Sequence, residues 1–435
     1  MSLNINIKNF YTIKNLLIEY DFKNKTHFSK RIQNFELNSV DNISNRFHSY
    51  IEFLKTTGIK IKIDNNLKIK LKKIESEYNK NKTEKNDKFL LRILGILSDT
   101  TFIGPEYFHM DISNPCNIDC NYCWFYSKYL KNPYSNEFKK AMIDYNDFTK
   151  IVDDLECLRT DTILFTGAGE PFLHPKINDM IKYTNNKFKI QIFTNGTKIN
   201  KESSKLITNH SDIELYISVS ASNPKTYKKV HPKQKKELFY ECENNIKQLI
   251  DSREKNKNVK SIIVLLFVLC KDNYKDIEEM ANWSNKLGVN SVRYQIAHNN
   301  DAKVIELNNN EKDIVRNKIN KVIKKYENEK LHINPNIIFQ LENTKKSNEW
   351  YNKHYQNKGC YVGWFFSRLW AEKTYSFCCI RKEVEHHNHK NSFDILWNSK
   401  KYKNYRNAAK SFGKINIELK KGYNLIDKDC SHCGN

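Results

Sequence analysis

The sequence has no apolar run long enough to cross a bilayer. Its strongest, SIIVLLFVLC at Ser261–Cys270, is about half the roughly 20 residues a spanning helix needs and reads as a buried strand. The first residues, MSLNINIKNFYTIKN, lack the apolar core and cleavage site of a secretory signal. A cytoplasmic protein with no membrane partner is therefore expected. No stretch interleaves arginine with aromatic residues in the manner of a nucleic-acid surface. The net charge of +23 is spread along the whole chain, which describes a solvated surface. Nucleic acid is not expected as a partner, and an anionic one stays open. Also missing is a fourth cysteine beside Cys116, Cys120 and Cys123 in NPCNIDCNYCWF.

With 435 residues, 39% of them hydrophobic, the chain has room for two or three folded domains. Residues 1–88 read as a mostly helical first region of unknown role. NLLIEYDF, FHSYIEFLKTTG and NLKIKLKKIESEY keep helical patterns, GIKIKID alternates like a short strand, and the polar NKNKTEKNDK closes the region as a linker. From Phe89 the texture changes. Strands are expected within residues 107–114, 160–166, 188–197, 213–222, 259–269 and 289–298. Helical spacing falls between them, as in Leu238, Cys242, Ile246 and Leu249, or Ile277, Met280, Ala281 and Trp283. Six alternating units over residues 89–304 predict an α/β fold, a partial (β/α)6 TIM-like barrel with functional residues at the C-terminal ends of its strands. An amphipathic helix at 309–329 dominates a bridge over 305–355, and 356–435 reads as a small α+β domain holding the second group of cysteines.

Eleven cysteines in an intracellular chain argue for metal before disulfide. Cys157, Cys242 and Cys270 stand alone in apolar surroundings and are expected in the core. For Cys116, Cys120 and Cys123 two readings are open. One is a zinc site completed by a distant residue such as His109. The other is an iron–sulfur cubane with three protein thiolates, whose fourth iron is free for a substrate or cofactor.

The wider pattern resembles the radical S-adenosylmethionine (radical SAM) enzymes. CxxxCxxC follows the first strand, with aromatic Tyr122 before the third cysteine. TGAGEP (166–171) resembles that family's Gly-Gly-Glu-Pro motif, and FTNGT and YISVSAS follow in the family's order, so that the resemblance covers roughly residues 105–300. It implies that Cys116, Cys120 and Cys123 hold a 4Fe–4S cluster and that the open iron binds S-adenosylmethionine. Tyr122, Gly167, Ala168, Gly169, Glu170 and Asn195 would border the methionine end, and Ser218 and Ser220 the ribose. The sequence departs from the pattern in Ala168, which replaces the second glycine, and in Ser220, where many relatives have Asp.

Cys360, Cys378, Cys430 and Cys433 resemble the C-terminal SPASM or twitch extensions of these enzymes, which hold auxiliary 4Fe–4S clusters. A full SPASM form needs about seven thiols for two clusters. This segment has five, counting Cys379 as an alternative to Cys378, so one auxiliary cluster is expected. The family's usual glycine before the second thiol is replaced near Lys373. A zinc site sharing His386, His387 and His389 is the competing reading. The implied function is reductive cleavage of S-adenosylmethionine, with an electron donor such as flavodoxin or ferredoxin, and hydrogen abstraction in a net oxidation of a sugar or other small molecule. Modification of a ribosomally made peptide is the alternative. A zinc-stapled nucleic-acid-binding protein is the alternative of another class. Arg293, Tyr294 and Trp364 are candidate substrate contacts by position.

Overall fold

A computed structural model describes residues 101–435 except 102, 211, 257–260, 344–358, 380–381, 388–391, 413–416, 421–422, 427–429 and 431–435, together with Lys88, Arg92, Gly95 and Ile96. The helices and strand read in residues 1–87 lie outside the described residues.

Six parallel strands follow one another in the sheet in chain order: β1 (Tyr107–Asp111), β2 (Thr162–Thr166), β3 (Lys189–Thr194), β4 (Ile213–Ser218), β5 (Ile262–Leu269) and β6 (Ser291–Ile296). Between them run α1 (Tyr145–Cys157), α2 (Ile177–Thr184), α3 (Lys201–Thr208), α4 (Glu237–Lys255) and α5 (Ile277–Leu287). This is the expected α/β arrangement of a partial barrel. The period of two explains it locally. Phe108, Met110, Ile163, Phe165, Ile190 and Ile192 point to one face and are buried, whereas His109, Gln191, Glu214 and Arg293 alternate with such residues on the other. Each fully buried Ile, Leu or Phe contributes about 1.5–3 kcal/mol. On the helices, Phe239, Cys242, Ile246 and Leu249 repeat at three and four residues and bury together.

The sheet does not stop at six strands. After β6, α6 (Asn309–Tyr326) leads to β7 (His332–Asn334), which pairs parallel with β6. A capping box between Asn308 and Glu311 starts α6. The chain then returns to the opposite edge. There β8 (Phe366–Leu369) pairs parallel with β1, and β9 (Thr374–Ser376) and β10 (Glu383–His386) add antiparallel. The result is one ten-stranded sheet, ordered β10-β9-β8-β1-β2-β3-β4-β5-β6-β7. Cys378 and Cys379 thus follow β9, which pairs with β8, the neighbour of the strand that launches the first cysteine loop. Among the described residues no helix is long and apolar enough to cross a membrane.

Cys242 and Cys270 are buried as expected, but Cys157 is exposed. The phase of α1 is the reason: Ile151, Val152 and Leu155 define its buried face, and Cys157 falls on the other. Two candidate contacts are also packing residues. Tyr294 is buried and donates its hydroxyl to the Ile277 carbonyl at 2.8 Å. Trp364 is buried in the C-terminal region.

Candidate functional site

The C-terminal ends of β1 to β6 surround a cavity of about 340 Å³. Cys116, Cys120, Cys123 and Tyr122 line it, and so do Gly167, Ala168, Gly169, Glu170, Asn195 and Ser218. The sequence motifs, scattered over a hundred residues, therefore meet in one wall.

The cysteine loop is pinned by its own spacer residues. Asn117 donates to Thr197 Oγ1 at 2.8 Å and accepts from Asn195 Nδ2 at 3.0 Å. Asp119 accepts from the Lys233 backbone at 2.9 Å and the Gln234 amide at 3.0 Å. Asn121 bonds Asp272, and Asn299 donates to the Cys123 carbonyl at 3.0 Å. Four different strand or helix ends thereby hold the loop. Asn195 is spent on this task, its oxygen also accepting from the Thr197 backbone at 2.9 Å.

TGAGEP forms the bed beneath the loop. Glu170 N–H donates to the Pro115 carbonyl at 2.8 Å and Gly169 N–H to that of Ser113 at 3.3 Å. A Cβ on Gly167 would run into the Ser113 carbonyl, and one on Gly169 into those of Asn114 and Pro115. Here the glycines admit the cysteine loop's backbone. Ala168 has room, and its methyl packs with Phe138 and Trp370. Glu170 is fully buried. Its carboxylate accepts from Phe172 N–H at 3.0 Å, Thr194 Oγ1 at 2.6 Å and Asn195 N–H at 2.6 Å, and so welds the end of β2 to that of β3. Burial raises its carboxyl above the ordinary range, against these bonds.

Ser220 is not in the cavity wall. It sits behind it, buried, at φ 54°. Its oxygen pairs with the Tyr122 hydroxyl at 2.7 Å and accepts from Val268 N–H at 3.1 Å. Tyr122 is thereby turned into the wall.

Burial pushes the Cys116 thiol up to about 12, partly offset by N–H groups of Ile118 and Asn117. Cys120 is raised by burial and then by the neighbouring Cys123 and Cys116, and Cys123 by burial. Three partly buried thiols crowded in one loop are a donor set that a bound cation would hold as thiolates. No group of three His, Cys, Asp or Glu among the described residues is gathered as a single metal ion requires. A cubane asks for less, because each thiolate takes a different iron. The donor set fits a three-thiolate cluster. His109 stands apart inside the barrel; burial, then the charge of Arg368, holds its imidazole neutral, with a pKa near 3.

The second group assembles less completely. Cys360, Cys378, Cys379 and Cys430 are half-buried. Burial raises Cys378 well above the ordinary thiol range, and Cys379, Cys360 and Cys430 stand near enough to raise it further. Cys433 lies outside the described residues, as does His389. His387 is turned away toward Tyr375, at 3.1 Å, and Asp147, and His386 is exposed. Lys373 has φ 68°, the left-handed conformation for which a glycine is the usual choice, and its ammonium pairs with buried Asp147.

Two arrangements escaped the sequence. Asp111, fully buried at the end of β1, binds Arg368 of β8 through Nη2 at 2.8 Å and Nε at 3.1 Å, and accepts from Thr166 Oγ1 at 2.8 Å. Arg368 also donates to the Cys379 carbonyl at 3.3 Å. One buried ion pair therefore links the root of the first cysteine loop to the second group. At the cavity mouth, His298 Nδ1 lies 2.9 Å from Glu306 Oε1 beside Trp124. Burial opposes the charge of Glu306, but the bond to His298 and the charge of Lys303 outweigh it and hold the carboxyl low. The position of His298 just past β6 was the available signal.

Comparison with known proteins agrees with this geometry. The radical SAM superfamily profile matches residues 110–284. The chain is 30% identical over 193 residues to the tungsten-containing aldehyde ferredoxin oxidoreductase cofactor-modifying protein of Pyrococcus furiosus, covering 43% of this chain and 50% of that one. It is 30% identical over 128 residues to the antilisterial bacteriocin subtilosin biosynthesis protein AlbA of Bacillus subtilis, covering 29% of this chain and 27% of AlbA. The chain spans about half the length of the first of these relatives and less of the second. In fold it is similar to Streptococcus suis SuiB bound to S-adenosylmethionine, with a TM-score of 0.54 at 14% identity over 86% of this chain and 85% of that one. SuiB bound to its precursor peptide SuiA gives a TM-score of 0.53 at 13% identity over 97% and 86%. Over residues 110–284, the part that carries the cavity and its cysteine loop, this chain is thus similar to the radical SAM superfamily.

Proposed function

We propose that this protein is a radical SAM enzyme that acts on a peptide or protein side chain, in the cytoplasm, with an electron donor such as flavodoxin or ferredoxin. The observation that carries the enzyme reading is the convergence of Cys116, Cys120 and Cys123 with TGAGEP on one cavity. When bound, a 4Fe–4S cluster and S-adenosylmethionine supply one-electron cleavage of the sulfonium bond and a 5′-deoxyadenosyl radical that takes hydrogen from the substrate. The chain's own residues hold and shield that chemistry. The three thiols ligate, Asn117, Asp119 and Asn121 fix the loop, and Gly167 to Glu170 with Ser218 border the cofactor. Trp124, 51% exposed at the mouth, and Phe193 supply an apolar rim. His298, oriented by Glu306, is the group at the mouth able to exchange a proton with a substrate.

The peptide reading is supported by the likeness to AlbA and to peptide-bound SuiB. The cavity wall carries no Lys or Arg among the described residues, which speaks against a phosphorylated substrate in either reading, since that would call for such cations. A second reading, net oxidation of a small molecule, is favoured by the second thiol group, since one auxiliary cluster can accept the electron left after hydrogen abstraction.

The test is 5′-deoxyadenosine formation by anaerobically reconstituted protein given S-adenosylmethionine and a strong reductant, with iron content measured in parallel. A Cys116→Ala, Cys120→Ala, Cys123→Ala variant should form none. A wild type that binds no iron overturns the enzyme reading. Mass change in a small peptide but in no sugar or aminocyclitol would separate the two substrate classes.

A further inference from the structure

β6 carries two polar side chains on the inner face of the partial barrel. Val292, Tyr294 and Ile296 are buried in the core, so Arg293 and Gln295 alternate to the other side, where both are half-buried. Gln295 lines the cavity. Arg293 follows it about 6.6 Å back along the strand. It is in register with Leu266 of β5, and Leu266 with the cavity residue Ser218 of β4. Across from it Tyr216 is near enough to act on its charge, and the Tyr216 ring stacks at 4.6 Å on that of the cavity residue Phe193. Arg293 therefore belongs to the floor beneath the cavity.

Neither side chain makes a hydrogen bond, ion pair or ring contact with the described residues. The carboxylates nearby are spent. Glu214 takes Lys189 at 2.5 Å, the Gln191 amide at 2.7 Å and the Tyr216 hydroxyl at 3.1 Å. Glu170, the one carboxylate of the cavity wall among the described residues, is held by Phe172, Thr194 and Asn195. Burial, opposed by Tyr216, lowers the pKa of Arg293 from its ordinary value. Its charge is thus partly stripped of water and has no counter-ion within the fold, a state that costs stability. A guanidinium held in this way is a donor fork ready for a planar anion.

We propose that Arg293 and Gln295 bind an acidic residue of the substrate peptide, the guanidinium taking its side-chain carboxylate and the Gln295 amide a neighbouring peptide group. The proposal rests on the peptide reading above and narrows it to sequences with Asp or Glu close to the modified residue. One guanidinium, with no lysine in the wall, suits a singly charged carboxylate rather than a phosphate. S-adenosylmethionine brings a carboxylate of its own, but the TGAGEP turn that borders the methionine end follows β2, and three strands separate β2 from β6 in the sheet.

The experiment uses the full chain, reconstituted anaerobically and given S-adenosylmethionine, with iron measured on each preparation. Isothermal titration calorimetry compares the α-amides of N-acetylglutamate and N-acetylaspartate with those of N-acetylglutamine and N-acetylasparagine. In the wild type the better acidic probe should bind at least tenfold more tightly than its neutral isostere, about the worth of one charge-assisted hydrogen bond. Arg293→Met should abolish that preference. Arg293→Lys should keep part of it, because an ammonium retains the charge but not the fork. Gln295→Leu should weaken acidic and neutral probes by a similar factor. No preference in the wild type, or one that survives Arg293→Met, overturns the proposal. The wild-type comparison needs no variant, so it decides even where a variant misfolds. If Arg293→Met instead loses affinity for S-adenosylmethionine, the guanidinium serves the cofactor and the proposal falls. Probes that Gln295→Leu binds as well as the wild type overturn the peptide contact and leave a site for a small carboxylic acid. A preparation without iron that still prefers the acidic probes overturns the enzyme reading and supports this site.

Discussion

Replacing Gly169 with Ala adds one methyl group at the point where the TGAGEP turn lies on the cysteine loop. The built Cβ falls inside van der Waals distance of two backbone carbonyl oxygens, those of Asn114 and Pro115. Neither can swing aside as a side-chain tip could. Pro115 is followed directly by Cys116, and its carbonyl also accepts Glu170 N–H. Relief therefore requires the turn and the loop to part by about 1 Å, and a misplacement of that size typically costs on the order of 10²-fold in rate. The neighbouring Ala168→Gly is the control. It removes a methyl that packs on Phe138 and Trp370 and frees the backbone, at a cost of about 0.5–1 kcal/mol. Measured as iron per chain and as 5′-deoxyadenosine formed, Gly169→Ala should lose cluster retention and about two orders of magnitude of turnover, while Ala168→Gly keeps its iron. If Gly169→Ala loads iron and forms product like the wild type, the loop does not need this bed, and the account of the glycines fails.

Asp111→Asn leaves Arg368 uncompensated in the buried joint between the two cysteine regions, and should destabilise the fold by about 3–5 kcal/mol; the double change Asp111→Asn, Arg368→Met should regain much of that in chemical denaturation. Lys373→Gly relieves a left-handed backbone but strips the ammonium from buried Asp147, so it should lower the melting temperature rather than raise it, modestly, because the lysine is one-third exposed. Burial lowers the His231 pKa from 6.5 to about 4, against the opposing effects of the Tyr227 carbonyl and Asp119. The folded state then holds fewer protons than the unfolded state between those values, so the stabilisation is complete above pH 6.5 and is lost as the pH falls toward 4, by roughly 3 kcal/mol. His231→Phe should flatten that limb of a stability–pH curve, and an unchanged slope would refute the assignment.

The elements legible in the sequence were those with a repeating physical cause. Alternation marked strands such as β3 and β4, which bury one face under helices, a continuous apolar run marked β5, and three-and-four spacing marked α4 and α5. The cysteine motif was legible because thiols at that spacing have few other uses. Cys157 was misread because two leucines, Leu155 and Leu158, stand near it, although Glu156 and Arg159 do too and its helical phase is not that of Ile151, Val152 and Leu155. Periodicity over the whole of α1 would have found it.

What escaped has a different origin. Ser220 reads as a strand-end hydroxyl in the sequence, yet in the fold its oxygen serves Tyr122 and Val268, partners 98 and 48 residues away. Asp111 and Arg368 are 257 residues apart, and nothing local to either announces the other. Their pairing depends on β8 choosing the β1 edge of the sheet, a choice made by tertiary packing. That choice also carries function. Because β8 is hydrogen-bonded to β1, the second thiol group has a defined place relative to the first, and the Asp111–Arg368 pair fixes the seam at the level of the cavity. The Cys379 carbonyl, which accepts from Arg368 at 3.3 Å, is where the second thiol group touches this seam. Loosening the seam with Asp111→Asn should therefore slow electron arrival at the auxiliary site more than it slows cleavage of S-adenosylmethionine, a split that rapid-freeze spectroscopy can read.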